Sequence, residues 1–166
     1  MKPNLNKKDF EFFFKPLTKI NGLTLIEIVI TIGIIVLLAG TVIIIINPAQ
    51  QLAKSRNTQR QSDINLILNA ISQNMADNRG IFNCVNGPIP TSSTKMAVGA
   101  GNYDIAACLV PVYLDKLPFD PQAPDAYYAS TTDYNTGYFI YQSTTTNRVT
   151  ISAPSAELNE IISVTR

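Results

Sequence analysis

The pattern of apolar and polar positions is dominated by one uninterrupted apolar run at residues 23–46. Glu27 is the only charged residue among these 24, so a helix drawn through the run has no polar face. A soluble amphipathic helix needs a polar face, and a buried strand is only about 4–8 residues long. At about 1.5 Å per residue the run is roughly 36 Å long, enough to cross a hydrocarbon core of about 30 Å. The run therefore predicts a membrane-spanning helix.

The next stretch, residues 50–78, predicts an amphipathic helix. Its apolar residues recur at helical spacing on one face, as Ile64, Ile67, Leu68, Ile71 and Met75. Asn47-Pro48 separates the two stretches, and a proline inside a helix removes a hydrogen bond and clashes with the preceding turn. We expect one long, bent helix that ends before Gly80. The alternative is that one helix ends here and another begins with proline in its first turn.

The remainder of the chain predicts a small head with α+β fold class. Residues 80–101 are rich in glycine, proline and polar residues and are expected to form a loop. A short helix is expected within residues 102–116, with Asn102 as its N-cap. Aromatic and β-branched residues predict three strands at 126–130, 137–143 and 149–153, joined by turns at 131–136 and 144–147. The long helix is expected to pack on this antiparallel sheet, and residues 157–166 either add an edge strand or stay loose.

Charge and composition narrow the function classes. Residues 1–22 carry five lysines against two acids, whereas the remaining 144 residues carry eight basic and ten acidic residues. The chain after residue 22 has no general attraction to nucleic acid, and no such partner is expected. The chain has no histidine, which excludes Ser-His-Asp, Cys-His and histidine–zinc sites. No spacing among the acidic residues suggests a catalytic pair, so we expect the protein not to be an enzyme.

A short motif opens the apolar run and narrows the interpretation further. Gly22-Leu23-Thr24-Leu25-Ile26-Glu27, with Lys19 upstream, resembles the processing site of type IV prepilins and type II secretion pseudopilins. In that family a membrane-embedded peptidase cuts after the glycine and methylates the new N-terminus, and the acid at the fifth mature position recruits subunits to a filament. The resemblance implies cleavage between Gly22 and Leu23, methylation of Leu23, and a recruiting role for Glu27. A carboxylate within a membrane is costly unless it is paired, and a neighbouring subunit's new amino terminus is a cation at the matching depth.

A second segment is similar to the same family. Leu117-Pro118-Phe119-Asp120-Pro121, followed by Tyr127-Tyr128, is similar to the turn that precedes the sheet of major pseudopilins. The prolines stiffen this turn, and Asp120 is expected to accept hydrogen bonds from backbone N–H groups. Such pseudopilins often bind calcium in the following loop, but here only Asp125 and Asp133 are available, and calcium needs about six to eight oxygen ligands. We expect no cofactor, with calcium at this loop as the alternative.

Cys84 and Cys108 are the only cysteines of the chain. A head outside the cytoplasmic membrane, as the resemblance implies, has access to oxidising chemistry, so we expect a disulfide between them. Such a bridge contributes about 3 kcal/mol for a loop of this length. The alternative is a pair of buried free thiols, since cysteine packs well as a small apolar residue. With no histidine and no third cysteine, no metal site is expected.

The resemblance implies a division of the chain and a function. The leader spans 1–22, the transmembrane or filament-core helix 23–47, the exposed half of the long helix 48–79, and the head 80–166. The implied function is that of a structural subunit of a type IV pilus-like or pseudopilus filament, before assembly held in the cytoplasmic membrane with its N-terminus inside and its head outside. Implied partners are further copies of the chain, related minor subunits, the prepilin peptidase, the assembly platform and the membrane. The alternative is a membrane-anchored extracytoplasmic binding protein or enzyme that never polymerises.

Overall fold

The computed structural model describes residues 22–166, except for the side chains of residues 43–46. The leader predicted at residues 1–22 therefore lies outside the described residues, apart from Gly22. By its internal contacts the chain divides into two compact units, one ending at Ile46 and the other spanning Asn47–Arg166.

The first helix, α1, spans Leu25–Ile46 and contains the apolar run. Its window Leu25–Val42 has a mean hydropathy of 2.6, and none of that window is buried. The hydroxyl groups of Thr31 and Thr41 donate hydrogen bonds to the backbone carbonyls of Ile28 and Leu38, each at 2.8 Å. This helix is long and apolar enough to cross a membrane, as the sequence predicts.

The second helix, α2, spans Pro48–Asp77 and is separate from α1. Between them Asn47 adopts a left-handed conformation (φ 45°, ψ 83°), and its side-chain oxygen accepts a hydrogen bond from the Gln50 N–H. The prediction of one continuous bent helix is therefore wrong. Pro48 has no N–H to donate and fits a first helical turn, while asparagine tolerates the left-handed conformation, so this dipeptide ends one helix and starts another.

The predicted end of α2 agrees with the structure. Gly80 has a φ of +86°, a conformation that favours glycine, and its N–H donates to the Met75 carbonyl at 2.7 Å. The predicted stripe of α2 forms its inner face, with Ile64, Ile67, Leu68 and Ile71 buried and Met75 packed against them.

The sheet has five antiparallel strands: the three predicted, an edge strand within residues 157–166 that was one of the two alternatives for that segment, and one strand that was not predicted. They are β1 (Thr94–Ala97), β2 (Tyr127–Ser130), β3 (Asp133–Gln142), β4 (Val149–Ala153) and β5 (Ile162–Thr165). Their order is β1-β3-β4-β5, and β2 also pairs with β3. The prediction of a loop throughout residues 80–101 is wrong at β1, which pairs antiparallel with β3 through Thr94, Lys95 and Ala97. The predicted turn at residues 131–136 is too long, since β3 already begins at Asp133.

The loops over this sheet complete the core of the head. A short helix, α3, spans only Ala106–Leu109, so the prediction of Asn102 as its N-cap is wrong. The Asn102 side chain instead donates to the Val98 carbonyl within a turn. The hydroxyl of Tyr134 on β3 accepts hydrogen bonds from the first N–H groups of this helix and donates to Asp104. Burial raises the pKa of the Tyr134 hydroxyl, and the hydrogen bond to Asp104 raises it further. Buried residues of α2, α3 and the strands form one continuous core.

Candidate functional site

The residues of the predicted processing motif lie together at the start of α1. Gly22, Leu23 and Thr24 precede the helix as a short segment without regular structure, and all three are exposed. Among the described residues, no atom outside Gly22 and its chain neighbours lies within 4 Å of the position that a Cβ of Gly22 would occupy. Leu23 keeps 69% of its surface exposed. The Gly22–Leu23 bond is thus free of surrounding structure among the described residues.

Glu27 takes part in a reciprocal cap of α1. Its N–H donates to the Thr24 hydroxyl at 3.3 Å, and one of its carboxylate oxygens accepts from the Thr24 N–H at 3.5 Å. Ile28 makes the first helical bond, from its N–H to the Thr24 carbonyl. This is the capping box that threonine and a glutamate three residues later form at helix starts. The motif therefore fixes both where the helix begins and where its one acidic side chain lies.

The described surface of α1 is apolar on every face. Its large side chains keep between 44% (Ile28) and 82% (Leu25) of their surface exposed. An apolar surface of this extent on a helix indicates a membrane or protein interaction, because exposed patches on soluble monomers rarely exceed a few hundred Å². Removing one CH₂ group from water is favourable by about 0.8 kcal/mol. Exposure of the apolar side chains of α1 to water is therefore unfavourable.

The head is held together by a buried ion pair that the sequence analysis did not identify. Arg60 of α2 and Asp120 of the proline-rich turn have fully buried side chains, with N–O distances of 2.8 and 3.0 Å. The hydrogen bond from Arg60 to Asp120 is the main reason why the pKa of Arg60 is raised. Asp120 also accepts the N–H groups of Gln122 and Ala123, as the sequence predicts for this turn. One carboxylate thus ties the turn to α2.

Glu157 joins the same network from the C-terminal segment. It accepts hydrogen bonds from Arg56 at 2.5 and 2.7 Å and from Arg60 at 3.0 Å. These contacts, that of Arg56 first, lower the pKa of Glu157 to about 2. Asn57 donates to the Glu157 carbonyl and accepts from the Glu157 N–H. The network therefore joins two distant parts of the chain, the turn with Asp120 and the C-terminal segment with Glu157, to one turn of α2.

A third polar contact crosses from the sheet to α2. The hydroxyl of Tyr138 on β3 donates to Asp63 at 2.8 Å. Burial raises the pKa of Asp63, and burial together with the Asp63 carboxylate raises the pKa of Tyr138. Among the described residues no buried side-chain N or O atom lacks a hydrogen-bond partner. The buried polar side chains of this interior are thus satisfied by hydrogen bonds within the chain.

The predicted disulfide is present. Cys84 and Cys108 are bonded, with their Cα atoms 5.0 Å apart, and they link the segment after α2 to α3. Beside the bridge, Asn74 of α2 donates to the carbonyls of Asn83 and Cys108 and accepts from the Asn83 N–H. The bridge and the buried amide together fix the end of α2 to the loop that follows.

Both residues considered for calcium accept a hydrogen bond within the head, Asp133 through its carboxylate and Asp125 through its backbone carbonyl. Asp133 accepts a hydrogen bond from the Tyr127 hydroxyl, and the Asp125 carbonyl accepts one from the Asn135 side chain. Residues 22–166 contain no group of three or more Asp, Glu or Cys side chains arranged to hold a metal ion. The structure thus places the processing residues together at the start of α1 and, separately, joins the two cysteines.

Of the buried network, only Arg60 had a detectable signal in the sequence. Arg60 lies four residues before Ile64, in line with the apolar stripe of α2, and a cation on a buried face needs an acidic partner. Asp120 and Glu157 lie 60 and 97 residues away from Arg60 along the chain, so their pairing with Arg60 was not visible in the sequence.

Comparison of the chain with known protein families, with curated proteins and with solved structures gave no match.

Proposed function

We propose that the protein is a structural subunit of a type IV pilus-like or pseudopilus filament, processed after Gly22 and assembled through α1. The observation that carries the proposal is the combination at one helix start. An exposed Gly22–Leu23 bond precedes a capping box with Glu27, and an apolar helix with no buried residue in its Leu25–Val42 window follows. A head with its own core and disulfide supports the same role, since it folds without using α1 for its interior.

In this proposal α1 has two successive environments. It first spans the cytoplasmic membrane, with the N-terminus inside and the head outside, and then packs against the α1 helices of other copies. The gain over lipid comes from close packing and polar contacts rather than from the hydrophobic effect. The new amino group of Leu23 on one subunit and the Glu27 carboxylate on its neighbour form the pair that sets the register. An unpaired carboxylate in the membrane costs about 2.5–3.5 kcal/mol on insertion scales, which favours this pairing.

The capping box provides a way to test Glu27 without disturbing the helix start. Glutamine also completes a capping box, so Glu27→Gln removes the charge and keeps the local hydrogen bonds. Thr24→Ala is the matched control, because it removes the cap hydroxyl, at a cost of about 1 kcal/mol, and keeps the carboxylate. In cells that assemble such filaments, we expect Glu27→Gln to be cleaved normally and to yield no sheared filaments. Thr24→Ala should be cleaved and should assemble.

Two outcomes would contradict the proposal. If Glu27→Gln assembles at the normal yield, the charge of Glu27 has no recruiting role. If the unchanged chain is never cleaved and stays monomeric in membranes, the chain is a membrane-anchored protein of another kind. Full-length and cleaved forms are separated by immunoblotting of whole cells, and filaments by shearing and sedimentation.

A further inference from the structure

The head carries an apolar hollow beside two arginines, neither of which forms an ion pair within residues 22–166. The hollow, here the arginine groove, is lined by Leu68, Ile71 and Met75 of α2, by Val149 of β4, and by Arg148 and Arg166. Its volume is about 320 Å³, which lies within the range of about 300–1,000 Å³ that is usual for small-molecule sites. Leu68, Ile71 and Val149 are buried and form the floor, whereas both arginines are exposed. The groove thus has an apolar floor and a cationic edge.

Neither Arg148 nor Arg166 is part of an ion pair among the described residues. The three ion pairs of these residues all involve Arg56 or Arg60, and no acidic side chain lines the groove. Arg166 donates only to the neutral amides of Asn65 and Asn69. Two cations that share one apolar edge repel each other and are stabilised by an anion that bridges them. The groove therefore complements an anionic group attached to an apolar body.

A second hollow extends the apolar floor away from the arginines. It has a volume of about 240 Å³ and shares Met75 and Asn147 with the arginine groove. Phe82, Pro88 and Ile89 line it, and it has no charged lining residue. A ligand with its anionic end at Arg148 and Arg166 can therefore continue as an aliphatic chain past Met75, which is flexible and adapts to varied apolar shapes.

We propose that the arginine groove binds a free long-chain carboxylate, with the carboxylate at Arg148 and Arg166 and the chain over Met75. Arginine presents paired N–H groups that match the two oxygens of a carboxylate. This inference concerns the head alone and does not rest on the filament proposal.

Photolabelling of the full chain in phosphatidylcholine nanodiscs tests the inference. The probe is hexadecanoic acid with a photoactivatable diazirine near its methyl end, and the labelled peptides are identified by mass spectrometry. We expect label on the peptides that contain Met75 and Phe82, competed by unlabelled hexadecanoic acid and not by hexadecanol. Label on α1, which is apolar and exposed, reports how much probe was delivered in every sample.

Two substitutions separate charge from shape. Arg148→Gln should weaken head labelling about tenfold relative to label on α1, the loss expected for one charge-assisted hydrogen bond. Ser72→Phe should block labelling while both arginines stay in place, since Ser72 lines the groove and is exposed enough to be enlarged. Arg79→Gln is the matched control, because Arg79 is exposed and does not line the groove.

Three results would overturn the inference. One is the absence of label at the groove in the unchanged chain. Another is equal labelling by the matching diazirine alcohol, which would mean that the apolar floor alone captures the probe. The third is loss of label when phosphatidylglycerol replaces phosphatidylcholine, which would assign the site to lipid headgroups instead of a free acid.

Discussion

α1 and α2 are both long helices, yet their side chains have opposite surroundings. In α1 the window Leu25–Val42 is apolar apart from Glu27 and a few small or hydroxyl residues, and none of it is buried. In α2 the apolar residues form a buried stripe, and a fully buried Arg60 lies in line with them. The core of the head therefore includes the apolar face of α2. The apolar window of α1 is exposed and is expected to contact an environment outside the chain. The membrane, and later neighbouring subunits, are the environments that the filament proposal supplies.

The comparison also explains why charge is treated differently in the two helices. In α2 a buried cation is satisfied by Asp120, Glu157 and Asn57 within the same chain. In α1 the single charge, Glu27, is exposed, and its recorded contacts are with Thr24 of its own cap. The first arrangement is complete within one molecule. Among the described residues the Glu27 carboxylate forms no ion pair, which is consistent with the proposed pairing between subunits.

Loss of the buried cation of α2 should have the largest effect on the stability of the head. Arg60→Met leaves Asp120 buried without its cation, and breaking a buried ion pair costs about 3–5 kcal/mol. Lys54→Met is the matched control, because Lys54 is exposed on the same helix. Urea unfolding is followed through the near-ultraviolet signal of tyrosine, which reports on the head alone, since all seven tyrosines lie there and the chain has no tryptophan.

A small effect of Arg60→Met, comparable to that of Lys54→Met, would mean that the network does not hold the head together. Arg60→Met combined with Asp120→Leu should recover part of the loss, because it removes both charges from the interior.

A charge placed in α1 should disturb membrane insertion rather than the stability of the head. Ile34→Lys should cost about 2.5–3.5 kcal/mol on insertion scales and reduce the fraction of protein that resists carbonate extraction. Leu66→Lys is its counterpart on α2, where the side chain is 46% exposed, and a surface change of this kind stays within about 0.5 kcal/mol. If both variants insert equally, α1 does not span the membrane.

The smallest effect concerns pH. The pKa of Glu157 is lowered from 4.5 to about 2, first by its hydrogen bond from Arg56. Between these values the unfolded chain binds more protons than the folded chain, so stability rises with pH. The stabilisation should be fully present above pH 4.5 and should disappear as the pH falls through about 2. Urea unfolding of the unchanged chain and of Glu157→Gln across this range measures it.

Asp63 provides the opposite case in the same experiment. Burial raises its pKa, so its ionisation opposes folding as the pH rises. The stability of the unchanged chain relative to Asp63→Asn should therefore fall as the pH rises through the acid range. Parallel pH dependences for Glu157→Gln and Asp63→Asn would contradict the assignment of these two groups.

The parts of the fold predicted from the sequence are those set by local patterns. The apolar run gives α1, the stripe of Ile64, Ile67, Leu68 and Ile71 gives the inner face of α2, and Gly80 marks its end. The disulfide was also predicted, because Cys84 and Cys108 are the only pair available. The sequence placed the interruption at Asn47-Pro48 correctly but predicted a bend instead of a helix end. The left-handed conformation of Asn47 was not evident from the sequence.

The parts that were missed depend on contacts between distant residues. β1 is four residues long within a loop-like sequence, and its pairing with β3 decides its conformation. The buried network joins Arg60 to Asp120 and Glu157, which lie 60 and 97 positions away. Asp120 and Glu157 each look ordinary in their own segments of the sequence. The prediction of Asn102 as a helix N-cap was wrong for a local reason. The Asn102 side chain donates to the Val98 carbonyl in the preceding turn.

The central claim is that the chain is processed as a filament subunit. The measurement that tests it most directly is the intact mass of the protein purified from cells that contain a prepilin peptidase. The account predicts a species that begins at Leu23 and is heavier by one methyl group. A protein that retains Met1 and the whole of residues 1–22 in such cells would contradict it, and the membrane-anchored alternative would then be favoured.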